Sequence, residues 1–288
     1  MRSLLPLLLL IVVGAACGAK TTAHTTTVAP RPTPAFTQAV VSSNWSGYVA
    51  RRTQGGGFDR ASGSWTMPAI SCATGDGSSA AFWVGIGGWG RSSPSLEQLG
   101  ASGDCTPSGA PSLRLWTEIV PAPPIFLPLR LAPGDHVTAT VSVAKGSVTF
   151  DLRNATRGTH YTHTTRERRA LDVATAEWIA EAPSLCRTIS ECEVVPLSDF
   201  GTVRFTNVLA SGSGVSGPLG APTWRVTPVA LIGSTGSSRY IAATNPFGAV
   251  PQPPAPGGRA FTIAFRRSLG GAVPARPLPG APLPAWIR

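Results

Sequence analysis

The chain has 288 residues, with 32 glycines, 28 prolines and only 13% charged residues, a composition that favours a turn-rich β protein over a helical one. Its net charge is +10, but the arginines are scattered and lack interleaved aromatic residues, so we expect a solvated basic surface and no nucleic-acid partner. All 14 acidic residues lie between Asp59 and Asp199, which restricts any carboxylate chemistry to that region.

The N-terminus has the features of an export signal, which we place at residues 1–17. Arg2 precedes the apolar run LLPLLLLIVVGAA, which is too short to span a membrane comfortably and ends in small residues. The context GAAC at Cys17 resembles a bacterial lipobox, although Gly14 stands where Leu is more usual. The alternative is a simple secretory peptide, cleaved near residues 16–19. The sequence therefore predicts a secreted or extracellular protein of bacterial type, either free or anchored to the membrane by a lipid on Cys17.

Five cysteines in an exported chain leave one over after pairing. With Cys17 set aside, Cys186 and Cys192 bracket a short loop and form the natural local disulfide, which leaves Cys72 to pair with Cys105. The spacing does not resemble a zinc site, and we expect neither a metal nor a cofactor.

Residues 18–38 are a Thr/Pro tract that predicts a disordered tether or a propeptide remnant. From residue 39 to 267, short apolar segments are broken by Gly, Pro and Ser, which is typical of a β-sandwich. The segments 137–144 and 147–154 alternate around the turn at Lys145 and predict a hairpin. Further strands are expected at 201–210, 239–244 and 259–266. Residues 268–288 form a Pro-rich tail.

The segment ALDVATAEWIAEAPS, residues 170–184, places Glu177 and Glu181 four residues apart. Its Ala, Leu and Glu content favours a helix ending at Pro183, and a helix would bring the two carboxylates to about 6 Å. A strand would place both on one face but roughly 13 Å apart. No G-x-S-x-G elbow, Walker loop or dinucleotide fingerprint occurs in the chain. Hydrolytic chemistry would therefore rest on carboxylates and amides.

Eight segments, taken in order, resemble one family. They are SSNWSGYV (42–49), GSWTMP (63–68), FWVGIGG (82–88), LEQLG (96–100), LWTEIVP (115–121), APGDHV (132–137), AEWIAEAPS (176–184) and VPLSDFGTVRFTN (195–207). Together they look like the glutamic peptidases, or eqolisins, over essentially all of residues 40–267. The resemblance implies an all-β sandwich of two large antiparallel sheets, similar to concanavalin A-like lectins and β-glucanases. It also places the Glu177–Glu181 segment on a strand, against its local propensity.

The resemblance implies an endopeptidase that acts on protein or peptide substrates, most active at acid pH, and we expect a monomer. By motif, its catalytic pair is Glu181 and Gln98. A carboxylate can accept a proton from water and return it to the leaving nitrogen, and an amide NH₂ can stabilise the oxyanion without titrating. The +10 charge is unusual for an enzyme that works at strongly acid pH.

Other positions match residues that line the family's substrate groove. Trp83 is expected there, with a core aromatic as the alternative, and Glu118 is expected either to bond Gln98 or to be merely half-buried. Gly87 and Ser102 stand where the fungal pattern carries Asp, and Asp104 is a candidate to compensate. Glu177 is expected on the same face as Glu181, with a lesser role.

Two other function classes remain open from the sequence. One is a non-catalytic, lectin-like β-sandwich binding module at the cell surface. The other is a glycosidase that uses Glu118 and Glu181 across the groove. A retained Gln98 is needed only by the peptidase.

Overall fold

β-Strands, most of them paired antiparallel, account for the regular structure of the described residues. The computed structural model describes residues 39–73, 77–90, 93–188, 191–232, 247–267 and 276–277, except for the side chains of 186–188, 191–192 and 276–277. The strands are β1 (Val40–Ser42), β2 (Trp45–Arg52), β3 (Arg60–Thr66), β4 (Ser79–Gly87), β5 (Leu96–Cys105), β6 (Pro111–Val120), β7 (Ile125–Phe126), β8 (His136–Ala144), β9 (Ser147–Asn154), β10 (Thr159–Arg166), β11 (Thr175–Glu181), β12 (Ser184–Thr188), β13 (Glu191–Val194), β14 (Thr202–Gly212), β15 (Val215–Gly217), β16 (Trp224–Leu231), β17 (Gly248–Pro251), β18 (Phe261–Arg266) and β19 (Arg276–Pro277).

Pairing between neighbouring strands defines two antiparallel sheets. The first has the order β7-β6-β5-β4-β11-β2-β16. The second has the order β17-β18-β14-β3-β8-β9-β10. The pair Leu231–Ala249, between β16 and β17, joins the two sheets into one continuous ladder. β1 lies parallel to β16, β15 forms a hairpin with β14, and β12 and β13 form a separate hairpin.

The two sheets pack face to face around an apolar core. The Trp178 indole on β11 donates to the Ser62 carbonyl on β3 at 2.8 Å. The rings of Tyr48 on β2 and Phe261 on β18 meet edge to face, with centroids 4.7 Å apart. Large side chains of both sheets join a single core cluster. The predicted all-β sandwich is therefore confirmed.

Most of the predicted strands are present. The hairpin of β8 and β9 turns at Lys145 and Gly146, both with positive φ, as a tight two-residue hairpin turn requires. The segment around Glu177 is strand β11, paired on both sides, so neighbouring strands override its helix propensity. The strand predicted at 239–244, the export signal with Cys17 and most of the C-terminal tail lie outside the described residues. Within the described ranges there is no helix long and apolar enough to cross a membrane.

The structure contains the predicted disulfide between Cys72 and Cys105, whose Cα atoms lie 5.4 Å apart. Cys186 and Cys192 are direct partners in the backbone register of β12 and β13. Their side chains lie outside the described residues, so the second disulfide stays a prediction.

Candidate active site

The candidate site lies on the outer face of the first sheet, which is the face turned away from the second sheet. Along β11, Trp178 and Ala180 point into the core, while Ile179 belongs to a second cluster on the outer face. Because side chains alternate along a strand, Glu177 and Glu181 share the outer face with Ile179. This agrees with the strand geometry expected from the family resemblance.

The outer face carries a buried cluster, here called the aromatic cluster. All of its members come from the first sheet: Trp45, Val49, Ala81, Trp83, Leu96, Trp116, Ile179 and Val229. Trp45 meets Trp83 edge to face with ring centroids 5.0 Å apart, and stacks on Trp89 at 6.1 Å. An antiparallel sheet in a sandwich usually presents a polar outer face to water. A buried aromatic cluster in that position therefore marks this face as specialised.

The register of the strands sets the spacing of the polar residues on this face. Gln98 on β5 lies directly between Gly85 on β4 and Glu118 on β6. Glu181 pairs with Trp45 on β2 and with Ala81 on β4. Residues that pair directly across neighbouring strands form rows across the sheet. The row that contains Trp83 lies between the row that contains Gln98 and the row that contains Glu181.

Glu181 is held by side-chain N–H donors in a nearly dry environment. Its two oxygens accept from Trp83 Nε1 at 2.7 Å and from Asn44 Nδ2 at 3.0 Å, and the residue is only 3% exposed. Burial raises the pKa of Glu181 to about 7, and the donated hydrogen bonds limit the rise. Its carboxylate is therefore poised to exchange a proton near neutral pH.

Gln98 is fixed by Glu118. The Gln98 Nε2 donates to Glu118 Oε2 at 2.5 Å, and both side chains are buried. Glu118 is thus a buried partner of Gln98, the first of the two roles expected for it. Burial, and then the charge of Glu181, raise the pKa of Glu118 well above its usual range.

Trp83 connects these groups. Its indole N–H contacts Glu181, and a Cβ placed on Gly85 would lie 2.9 Å from Cζ3 on the opposite edge of the same indole. Only glycine fits at residue 85 because the ring lies over it. Since Gly85 is the direct partner of Gln98, Glu181 and the Gln98 row lie at opposite ends of one indole ring. Trp83 is thus fully buried on the outer face, outside the main core cluster.

Glu177 lies on the same face but has different surroundings. It is fully buried, and neither of its oxygens has a hydrogen-bond partner among the described residues. Burial raises the pKa of Glu177 well above its usual range, and the nearby charges of Asp172 and Glu97 add to the rise. A protonated, uncharged Glu177 is the form that this environment favours.

The structure does not bring Gly87 or Asp104 to the site. Gly87 has a φ of +83°, and a Cβ there would lie 2.4 Å from the Asp172 carbonyl oxygen, so the position has no room for a side chain. Asp104 binds Arg114 and Ser79, each at 2.6 Å, and lies six residues along β5 from Gln98, about 20 Å. It does not replace the missing acid near Gln98.

Two contributors were missed from sequence. Asn44 bonds Glu181 directly, and Trp45 packs on Trp83. Both lie in the motif SSNWSGYV, so the Asn-Trp pair was the signal that could have identified them. Within the described ranges, no group of three or more His, Cys, Asp or Glu side chains is arranged to hold a metal ion.

Comparison with known proteins gives consistent matches. The model of the Peptidase A4 family matches residues 43–235. Aspergillopepsin-2 of Aspergillus niger is 30% identical over 200 residues, which is 62% of this chain and 67% of the relative. The crystal structure of scytalido-glutamic peptidase with a transition state analog inhibitor has a TM-score of 0.62 and 22% identity, covering 78% of this chain and 99% of that one.

SCP-B, an eqolisin in complex with the tripeptide Ala-Ile-His, has a TM-score of 0.54 and 21% identity over the same shares of the two chains. At these identities, the two solved structures show the fold, whereas the family match and the fungal relative show membership. The chain belongs to the Peptidase A4 family, the eqolisins, and is a glutamic endopeptidase.

Proposed function

We propose that this protein hydrolyses peptide bonds with Glu181 as the general base and Gln98 as the oxyanion donor. The observation that carries the proposal is that the Trp83 indole donates to Glu181 at one edge and lies over Gly85, the cross-strand partner of Gln98, at the other, with Glu181 oriented by two N–H donors. The attacking water and the substrate carbonyl would lie on the outer face between Glu181 and Gln98.

The chemistry needs only these groups and water. The ionised Glu181 accepts a proton from water as the water oxygen attacks the carbonyl carbon. The carbonyl oxygen becomes an oxyanion and accepts a hydrogen bond from Gln98. Glu181 then donates the proton to the amide nitrogen, the C–N bond breaks, and the amine and the new carboxyl group leave.

Glu118 has a positioning role in this proposal. One N–H of the Gln98 amide is donated to Glu118, which leaves the second N–H for the oxyanion. Because Glu118 is engaged with Gln98, the geometry favours the peptidase over a glycosidase that would need Glu118 as its acid.

The pH range of activity follows from the pKa of Glu181, the proposed base. Glu181 must begin ionised, and its pKa of about 7 supports a working range closer to neutrality than the acid range implied by the family resemblance. The high net charge of the chain agrees with this.

We also propose that the protein is exported, either secreted or held at the cell envelope by a lipid on Cys17. The Cys72–Cys105 disulfide supports export, because disulfides persist mainly in oxidising compartments.

The direct test is Glu181→Gln, which is nearly isosteric but cannot accept a proton. We expect release of peptides from a denatured protein substrate to fall by about a thousandfold or more, with the thermal melt retained. Glu193→Gln, at an exposed position on β13, is the matched control and should cleave as the wild type does. Equal rates for Glu181→Gln and wild type would exclude this mechanism.

A further inference from the structure

A cavity of about 510 Å³ opens at one end of the outer face, beyond the aromatic cluster. Its lining includes Arg51 of β2, Trp89, Ser93 and Asp172. None of these residues takes part in the proposed chemistry, so the cavity is a separate feature of the same face.

The cavity is connected to the catalytic groups by aromatic side chains. Trp83 packs on Trp45, and Trp45 stacks on Trp89. The Arg51 guanidinium then donates to the Trp89 carbonyl at 3.2 Å. Gly47 on β2 lies in the same cross-strand row as Trp83. Arg51 is four residues farther along β2, a distance of about 13 Å, which four residues of an extended peptide would span.

Two arginines face each other at this end. Arg51 on β2 and Arg225 on β16 are direct cross-strand partners, and both are exposed. Like charges placed directly opposite destabilise a sheet unless an anion lies between them. In the part of the chain that the structure describes, neither guanidinium has a carboxylate in ion-pair contact.

Within the described ranges, the nearby acids form no ion pair with these arginines. Asp172 is the carboxylate that lines the cavity, and it accepts from the backbone N–H of Gly88 and of Ala174 and from the Ser93 hydroxyl. It therefore fixes its own loop. Glu177 lies nearby on β11, but it is fully buried and forms no ion pair with either arginine among the described residues.

Building on the proposed peptidase function, we propose that Arg51 and Arg225 form a distal subsite that binds an acidic side chain of the substrate, about four residues from the scissile bond. A guanidinium binds a carboxylate through two parallel N–H donors, and among the described residues Arg51 donates only to the Trp89 carbonyl. The enzyme would therefore select peptides by a charge placed well away from the bond that it cleaves.

The test uses a set of neutral peptides with amidated C-termini, in which Asp replaces Asn at one position at a time. We expect one position, three or four residues from the scissile bond, at which the Asp peptide has a kcat/KM about tenfold above that of the Asn peptide. The ratio should shrink as salt is added. In the double variant Arg51→Gln with Arg225→Gln it should fall to about one, and Arg51→Lys should retain part of it.

Arg153→Gln, exposed on β9 of the other sheet, removes one charge elsewhere and should keep the wild-type ratio. The subsite is excluded if no position favours Asp, or if the preference survives in the double variant. A preference that appears only for a free C-terminal carboxylate also overturns the side-chain assignment. Failure of the proposed function looks different, because the wild type would then cleave none of the peptides.

Discussion

Both faces of the first sheet bury side chains, but for different purposes. On β5, Leu99 points into the core and Gln98 points outward, and both are fully buried. The inner face is almost entirely apolar. The outer face keeps an amide and several carboxyls dry beside tryptophans, which costs free energy unless each polar group is paired or protonated. Burial on the inner face stabilises the fold, and burial on the outer face adjusts the chemistry of polar groups.

The neighbours Gln98 and Leu99 make this difference measurable on a single strand. Gln98→Ala should lower kcat by about a hundredfold or more, because an oxyanion donor is lost, and should lower the free energy of unfolding by about 1–3 kcal/mol, because buried Glu118 loses its partner. Leu99→Ala should lower the free energy of unfolding by about 2–5 kcal/mol, because a cavity is left in the core. Steady-state kinetics and urea unfolding of both variants check this. The comparison fails if Gln98→Ala retains wild-type kcat.

The pH dependence of kcat/KM tests the outer face separately from the core, because it depends on the protonation of Glu181. With a pKa of about 7, Glu181 is increasingly protonated below that pH and cannot act as base. We expect kcat/KM to fall by about tenfold for each pH unit below 7, as measured with a peptide that contains no ionisable side chains. A rate that stays constant down to pH 4 would show that Glu181 is ionised there, as the acid-active reading of the family resemblance implies.

The last effect concerns stability and comes from buried acids outside the proposed dyad. Glu177, and Glu97 with a pKa of about 8, bind protons more tightly when folded than when unfolded. Their contribution is therefore greatest below about pH 4.5 and is lost as the pH rises toward their folded pKa values. Each group costs up to about 1.4 kcal/mol per pH unit in that window.

Replacing Glu177 by Gln should accordingly flatten the fall in melting temperature between pH 5 and 8. Glu193→Gln, on the exposed side of β13, should keep the wild-type slope. An unchanged slope in Glu177→Gln would mean that Glu177 is ionised in the folded protein.

The sequence could predict the strands but only part of their arrangement. The β8–β9 hairpin follows from alternation and from a turn at Lys145, because both signals are local. β11 has helix formers throughout, and it is a strand because β2 and β4 bind it on both sides, which no local pattern shows. The motifs identified Glu181 and Gln98, but they could not reveal that Asn44 bonds Glu181, since that contact joins residues 137 positions apart.

The disulfide between Cys72 and Cys105 has a consequence for where the enzyme can work. It closes a covalent loop over a separation of 33 residues, and both β4 and β5 lie inside that loop. Trp83 and Gln98 therefore lie within the covalent loop, whereas Glu181 lies outside it and is held by strand pairing and by hydrogen bonds from Asn44 and Trp83. A reducing compartment would loosen the segment that carries Trp83 and Gln98, and with it the proposed dyad. Reduction of this disulfide would then limit where the peptidase is active, although it changes none of the proposed catalytic groups.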